Sequence, residues 1–333
     1  MSSSAAARSE ALHPFGGEPL LEVRDLEVVA ESAERTVPLL RSMQLIVPRG
    51  GRVGIVGESG SGKSMTAAAI LGLFPPGVRA TGGTVRLRDR DLRTLRPREL
   101  EKVRGKEISM VFQNAVSSLH PLIPVGEQIA RVCRAHLDVS RGEARRRTVA
   151  MLDSLGIPDA ANRARNHPHQ FSGGMAQRVA IAMALICDPS LLIADEPTTG
   201  LDATIQAQVL EVIEESVRSR EAALLLISHD LGVISAMCDI VAVVYAGELL
   251  ELGYTRDVLE APLNPYTRGL VRCLAPERGE VEFIPGRVPE PGSIHDECSF
   301  TDRCELASER CSRQRAVLRE LRPNHWVACH NVS

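Results

Sequence analysis

The stretch GRVGIVGESGSGKSMTAAAILGLF, Gly51 to Phe74, constrains the fold more than any other part of the chain. Val53 to Val56 is an apolar run short enough for a buried strand, and an amphipathic helix pattern follows it. Between them stands Gly57-Glu58-Ser59-Gly60-Ser61-Gly62-Lys63-Ser64. Glycines at these places, between a strand and a helix, are the phosphate-loop pattern in its required setting. The glycines let backbone N–H groups converge on phosphate oxygens without a Cβ in the way. The helix N-terminus adds partial positive charge beneath the anion. Lys63 is expected to reach the outer phosphates and Ser64 to ligate Mg²⁺, with Met65 completing the nucleotide-binding segment. The chain therefore binds a nucleoside triphosphate.

A second apolar strand, LLIADEP, ends on Asp195 and Glu196, about 130 residues further on. An Asp ending such a strand can hold Mg²⁺, and the next carboxylate can activate an attacking water. Just upstream, FSGGMAQRVAIAMALICDPS opens a helix with Ser172-Gly173-Gly174 and continues with the small residues Ala180, Ala182 and Ala184. Serine is a favoured helix cap, yet two glycines in the first turn are costly for capping alone. They suit a second anion-binding helix terminus. Two triphosphate-gripping surfaces far apart in one chain point to a dimer that sandwiches nucleotide.

At 333 residues, a prior of about 150 residues per domain gives about two folding units. The net charge of -3 argues against a general nucleic-acid binder. The opening residues contain no signal peptide pattern, and residues 1–19 are expected to be a disordered tail. No stretch approaches the roughly 18 uninterrupted apolar residues of a membrane span. The chain is expected to be soluble and cytosolic, where clustered thiols point to metal or redox chemistry more than to structural disulfides.

With these residues in view, the chain resembles the ATP-binding subunit of an ATP-binding-cassette (ABC) transporter. The order is complete over about residues 20–255: phosphate loop, Gln113 in MVFQNA, FSGGM, LLIADEP, Asp202 in TTGLD, and His229 in LLLISHD. The resemblance implies an α/β phosphate-loop NTPase cassette with a mixed sheet core, a helical subdomain over about residues 114–190 and an antiparallel β subdomain. It implies that Lys63, Ser64, Gln113, Asp195, Glu196 and His229 serve one ATP. In that set Glu196, His229 and Gln113 are catalytic, and Ser64, Gln113 and Asp195 attend Mg²⁺. Ser172, Gly173 and Gly174 would grip the ATP of the partner subunit, and Asp202 joins the nucleotide-binding residues. Gln113 would start the helical insert, roughly residues 114–170, that contacts membrane subunits. Two departures stand out. Phe171 and Met175 replace the Leu and Gln of the commonest signature, as in the peptide and nickel importer branch. No aromatic residue occurs between Phe15 and Phe74, although the family usually stacks adenine on one near Ala30.

Beyond the cassette, taken as residues 20–258, Pro and Gly density rises and marks loop. NPYTRGL, the IPG…P stretch and the C-x-F-x-x-R-C run resemble the C-terminal region of oligopeptide/dipeptide importer ATPases, here residues 259–333. The resemblance implies an ATP-hydrolysing subunit, peripheral on the cytoplasmic face of the inner membrane, that energises uptake of di- and oligopeptides. Its partners would be a second and distinct ATPase, two integral-membrane permeases and an extracytoplasmic solute-binding protein, with no nucleic acid. The alternatives are an importer of nickel or another small solute, or a non-transport soluble ABC ATPase; the importer tail disfavours an exporter.

Cys298, Cys304, Cys311 and Cys329, half of the eight cysteines, are separated by five, six and seventeen residues. A zinc site normally offers a C-x₂₋₄-C pair, and none exists here. Four thiolates on an irregular loop suit a [4Fe–4S] cluster, which some peptide-importer ATPases carry in this extension. The cluster is expected to staple a segment too poor in core residues to fold alone, with His325 or His330 as substitutes for the fourth ligand; four reduced, unliganded thiols are the other reading. Cys133, Cys187, Cys238 and Cys273 are expected to be inert core residues.

Overall fold

The computed structural model describes residues 12, 15–32, 34–274, 283–294 and 296–332. The expected tail therefore lies largely outside the described residues, at 1–11, 13 and 14. The chain divides into two compact units. One comprises Met1–Pro48, Arg52–Arg93 and Ile227–Ser333; the other comprises Arg49–Gly51 and Thr94–Leu226.

The first unit holds two sheets. The antiparallel one has the order β2 (Thr36–Pro48), β1 (Pro19–Glu31), β4 (Val78–Leu87), β5 (Arg90–Asp91). Its central strand β1, PLLEVRDLEVVAE, mixes buried and exposed positions along its length, as a sheet with one solvated face requires. The other strands run in the order β11 (Leu318–Arg322), β12 (His325–Ala328), β10 (Glu248–Tyr254), β9 (Ile240–Tyr245), β3 (Arg52–Val56). β3 and β9 are parallel, with Val53 opposite Ile240 and Val56 opposite Val243. Both read as near-continuous apolar runs, the signature of a strand covered on both faces. The helices of this unit are α1 (Lys63–Leu71), α9 (Leu231–Met237), α10 (Thr255–Glu260) and α11 (Pro265–Leu274).

The C-terminal extension joins this sheet through a hairpin. β12 pairs with β10, Leu252 lying opposite Trp326, and β11 pairs with β12. Trp326 is fully buried. Phe15, at the near end of the expected tail, packs edge-on against Trp326 and Tyr254, at ring-centroid distances of 5.2 and 5.3 Å. Glu251, wholly buried, accepts the N–H groups of Leu263 and Asn264 at 2.8 and 3.0 Å and lies 2.7 Å from His325 Nε2. Asn264 in turn donates to the carbonyls of Leu250 and Ala328, so the NPY run ties β10 to β12. A hydrophobic hairpin and a buried polar network thus organise the extension, where metal ligation was the expected device.

The second unit contains β8 (Ala223–Ile227), β7 (Leu191–Asp195) and β6 (Ile108–Val111), in that order. β6 and β7 are parallel, and ISMV, LLIAD and ALLLI are buried almost throughout. Its helices are α2 (Pro97–Val103), α3 (Ala115–Ser118), α4 (Val125–His136), α5 (Arg141–Ser154), α6 (Ala160–Arg163), α7 (Gly173–Leu185) and α8 (Ala203–Ser219). α3 to α7 fall within the span expected to be helical. No helix among the described residues is long and apolar enough to cross a membrane.

Candidate functional site

In the first unit the phosphate loop leaves β3 and enters α1, as its sequence predicts. Gly57 has φ +155°, and a Cβ there would stand 2.0 Å from the Val244 carbonyl oxygen. Only glycine lets the loop pass so close to β9. The Lys63 side chain is buried, and its ammonium donates to the carbonyls of Gly57 and Glu58 at 2.8 and 2.9 Å. The loop thus already encloses a cation. Ser61 is buried, its carbonyl accepts the Gly247 N–H at 2.8 Å, and its Oγ has no partner among the described protein atoms. Ser59, Gly60 and Ser64 are exposed. A glycine-lined cradle over a helix N-terminus, with one lysine and hydroxyl oxygens, fits a triphosphate and a hard, oxygen-seeking cation.

The extension reaches this loop. Tyr266 Oη accepts the Glu58 N–H at 2.9 Å, and Arg303 pairs with the Glu58 carboxylate at 2.7 Å. Tyr245, Tyr266 and Phe300 form an aromatic cluster beside them, with centroids 4.6 to 5.4 Å apart. Burial pushes the phenol pKa of both tyrosines up. Burial opposes the charge on Arg303, but hydrogen bonds to Glu58 and Tyr245 outweigh it and hold the guanidinium above its ordinary pKa. Sequence reasoning singled out NPYTRGL and C-x-F-x-x-R-C only as markers of a branch and missed Tyr266 and Arg303 as neighbours of the loop. The available signal was slight: a tyrosine beside the proline that opens α11, and an arginine between Cys298 and Cys304.

His229 also belongs to this unit. It is exposed just beyond β8, between Ser228, whose Oγ accepts the Asp230 N–H, and Asp230, which caps α9 through the N–H groups of Gly232 and Val233.

In the second unit Asp195 ends β7 and is buried, and Glu196 follows in a left-handed conformation at φ +45°. That conformation is uncommon for a residue with a side chain and is found at functional turns. Gln113 Nε2 donates to Glu196 Oε2 at 3.0 Å, and Thr199 Oγ1 donates to the same oxygen at 2.8 Å. The structure therefore brings together two of the three residues expected to be catalytic and adds Thr199, which the sequence reading passed over. Thr199 stands in the same TTGLD run as Asp202, three residues from the carboxylate it binds.

Ser172 caps α7 by accepting the Met175 N–H at 3.4 Å, and Ser172 and Gly173 are exposed at the helix start. Gly174 has a second reason to be glycine: a Cβ there would stand 2.4 Å from Ile205 Cγ2 on α8. Asp202 caps α8, accepting the N–H groups of Thr204 and Ile205 at 3.1 Å. Ala30, on β1, pairs with Val37 and Val78.

The four C-terminal cysteines require a correction. Among the described residues no group of three or more His, Cys, Asp or Glu is placed to hold a metal ion, so the [4Fe–4S] cluster expected on Cys298, Cys304, Cys311 and Cys329 is not supported. Cys311 is buried, and Cys298, Cys304 and Cys329 are half-buried. Burial pushes the Cys298 thiol up to about 11 and raises Cys304 and Cys329. Cys311 Sγ and Cys329 Sγ accept hydrogen bonds from Asn331. The two substitute ligands are also engaged, His325 with Glu251 and His330 with the Gln314 carbonyl at 2.8 Å. Cys133, Cys187 and Cys238 are buried as expected, whereas Cys273 is half-buried.

Residues 40–199 match the ABC transporter family, and residues 250–311 match the oligopeptide/dipeptide transporter C-terminal region. The oligopeptide transport ATP-binding protein OppD of Salmonella typhimurium is 43% identical over 313 residues, covering 93% of each chain. The dipeptide transport ATP-binding protein DppD of Bacillus subtilis is 42% identical over 89% of this chain and 90% of its own. Among solved structures, a dimeric ATP-binding cassette in a post-hydrolysis state, bound to ADP and phosphate, superposes with a TM-score of 0.64 at 26% identity. It covers 71% of this chain and 99% of that one.

Proposed function

From the premise that this chain belongs to the ABC transporter ATP-binding family, we propose that it is the ATP-hydrolysing subunit of an importer of di- and oligopeptides. One observation carries the substrate class: the likeness to oligopeptide and dipeptide transport proteins runs through the cassette and on into the C-terminal region. That continuity favours peptides over nickel and over a non-transport ATPase.

In this reading the backbone of Gly57 to Ser64 receives the triphosphate, and Lys63 exchanges its bonds to the Gly57 and Glu58 carbonyls for the outer phosphates. Met65 follows in the first turn of α1. Mg²⁺, when bound, offsets the negative charge of the phosphates, and the oxygens of Ser64, Gln113 and Asp195 are the donors that would hold it. Glu196 takes the proton of the attacking water as general base. Gln113 and Thr199, both bound to Oε2, fix the plane of its carboxylate. His229 is assigned to the same reaction by its position in the ordered motif set. Ser172, Gly173, Gly174 and Asp202 are assigned to the nucleotide of a partner ATPase, which supports a cassette dimer.

The partners of this reading are two permeases, a second and distinct ATPase, and an extracytoplasmic binding protein, with the chain peripheral on the cytoplasmic face of the membrane. Residues 20–258 are proposed as the cassette, 259–333 as the extension, and the helical span from about 114 as the permease-facing part. Leu122, 79% exposed, offers apolar surface for that contact. Reconstitution with its permeases and second ATPase in liposomes tests the reading. ATP-driven accumulation of labelled dipeptide, lost with Glu196→Gln, is expected; ATP hydrolysis without peptide uptake would overturn the substrate class.

A further inference from the structure

Glu58 puts a carboxylate into a loop whose task is to receive a polyanion. Left unmatched, that charge repels the ligand, and the more so where water is excluded. In the structure it is matched from the C-terminal extension, 245 residues along the chain. Arg303 Nη1 donates to Glu58 Oε2 at 2.7 Å and Nη2 donates to Oε1 at 3.1 Å. This is the two-point geometry in which guanidinium and carboxylate fit best.

The remaining donors of Arg303 are also committed. Nε donates to the Pro285 carbonyl at 2.7 Å, Nη1 to Tyr245 Oη at 3.1 Å, and Nη2 to the Ile284 carbonyl at 3.1 Å. All five N–H groups of the guanidinium are thus used, and the side chain is 4% exposed. The rings of Tyr245 and Phe300 lie 5.7 and 5.9 Å from it. The cation is therefore fixed by its own surroundings, and Tyr266 holds the backbone of the same loop residue.

We infer that Arg303 is a positioning residue for nucleotide binding: it neutralises Glu58 and holds the first turn of the phosphate loop, so that the extension sets the affinity of the ATP site. The inference rests on the reading of this loop as that site. Lysine cannot replace the arginine, because one ammonium cannot span both carboxylate oxygens and three further acceptors.

Titration of the full chain with MgATP tests it, with the emission of the single tryptophan, Trp326, reporting whether the extension is folded. Arg303→Met is expected to weaken ATP binding about tenfold, as befits a lost charge-assisted pair. In the assembled complex the change falls on KM for ATP rather than on kcat at saturation. Adding Glu58→Gln to Arg303→Met removes the unmatched charge and restores most of the affinity, which a residue that merely holds the fold together would not do. Should Arg303→Met unfold the extension, Arg303→Lys, which keeps a cation in place, is expected to weaken binding by a smaller factor. Unchanged affinity in either folded variant, or no recovery in the double variant, overturns the inference. Lys63→Ala separates the two levels: if it binds ATP as the native chain does, the ATP-site reading itself falls.

Discussion

Glu251→Ala removes the acceptor at the centre of the joint between β10 and the extension. The native carboxylate is inaccessible to water and accepts the Leu263 and Asn264 N–H groups, with His325 Nε2 at 2.7 Å. A hydrogen bond to a charged group contributes about 1.5–3 kcal/mol, and a buried donor left unmet costs a similar amount. Two backbone donors alone give a loss of about 3–6 kcal/mol, a large part of a domain's typical stability. Trp326 lies opposite Leu252 on the neighbouring strand, so its emission during urea unfolding reads this joint directly. Glu251→Gln keeps one carbonyl acceptor but turns an amide N–H₂ toward another donor, and its loss is expected to be intermediate. A Glu251→Ala transition within about 1 kcal/mol of the native one would show that water or rearranged neighbours satisfy those donors, and would refute the reasoning.

Glu196→Gln is expected to lower turnover in the assembled complex by about 10²–10⁴-fold while ATP stays bound, as read by single-turnover kinetics and filter binding. Gly174→Ala forces Ile205 aside from 2.4 Å and is expected to cost about 1–3 kcal/mol in thermal unfolding, with Gly173→Ala, 3.2 Å from Leu201 Cδ2, costing less. Burial pushes the Cys238 thiol up to about 12 from an ordinary 9.0. The folded chain therefore holds that proton while the unfolded chain loses it, so stability should fall as pH rises from about 9 toward 12; Cys238→Ala should flatten that slope in urea midpoints measured against pH. Ala30→Tyr is expected to tighten ATP binding by about 1–3 kcal/mol if the added ring stacks on the base, and calorimetry with no gain would show that adenine is held elsewhere.

What was legible in the sequence was local. The phosphate loop between β3 and α1, the strand ending at Asp195, and the Ser172 cap of α7 each lie within a dozen residues, and each was found where the pattern put it. The contacts that escaped are long-range. Nothing near Glu58 announces that Arg303 will meet it, and nothing near Glu251 announces His325. The cysteines misled for a related reason. Their spacing is conspicuous in one dimension, while Trp326, Leu318 and Phe300, which bury the extension, are scattered among charged and loop-forming residues. Gly174 shows a subtler limit. Its place in the signature invited an anion-binding role, while its approach to α8, visible only in three dimensions, already forbids a side chain.

The pairing of β10 with β12 also has a consequence for the chain as it is being made. A ribosome finishes β10 at Tyr254 long before it delivers His325, and in that interval the outer edge of the strand has no neighbour. Such an edge is a template for pairing with another chain. A product cut short before His325 would keep that edge open, and one cut before Arg303 would also leave Glu58 without its guanidinium. Translation must therefore pass Arg303 before the nucleotide loop has all its supports, and His325 before the edge of β10 is covered, so damaged messages should yield chains prone to associate.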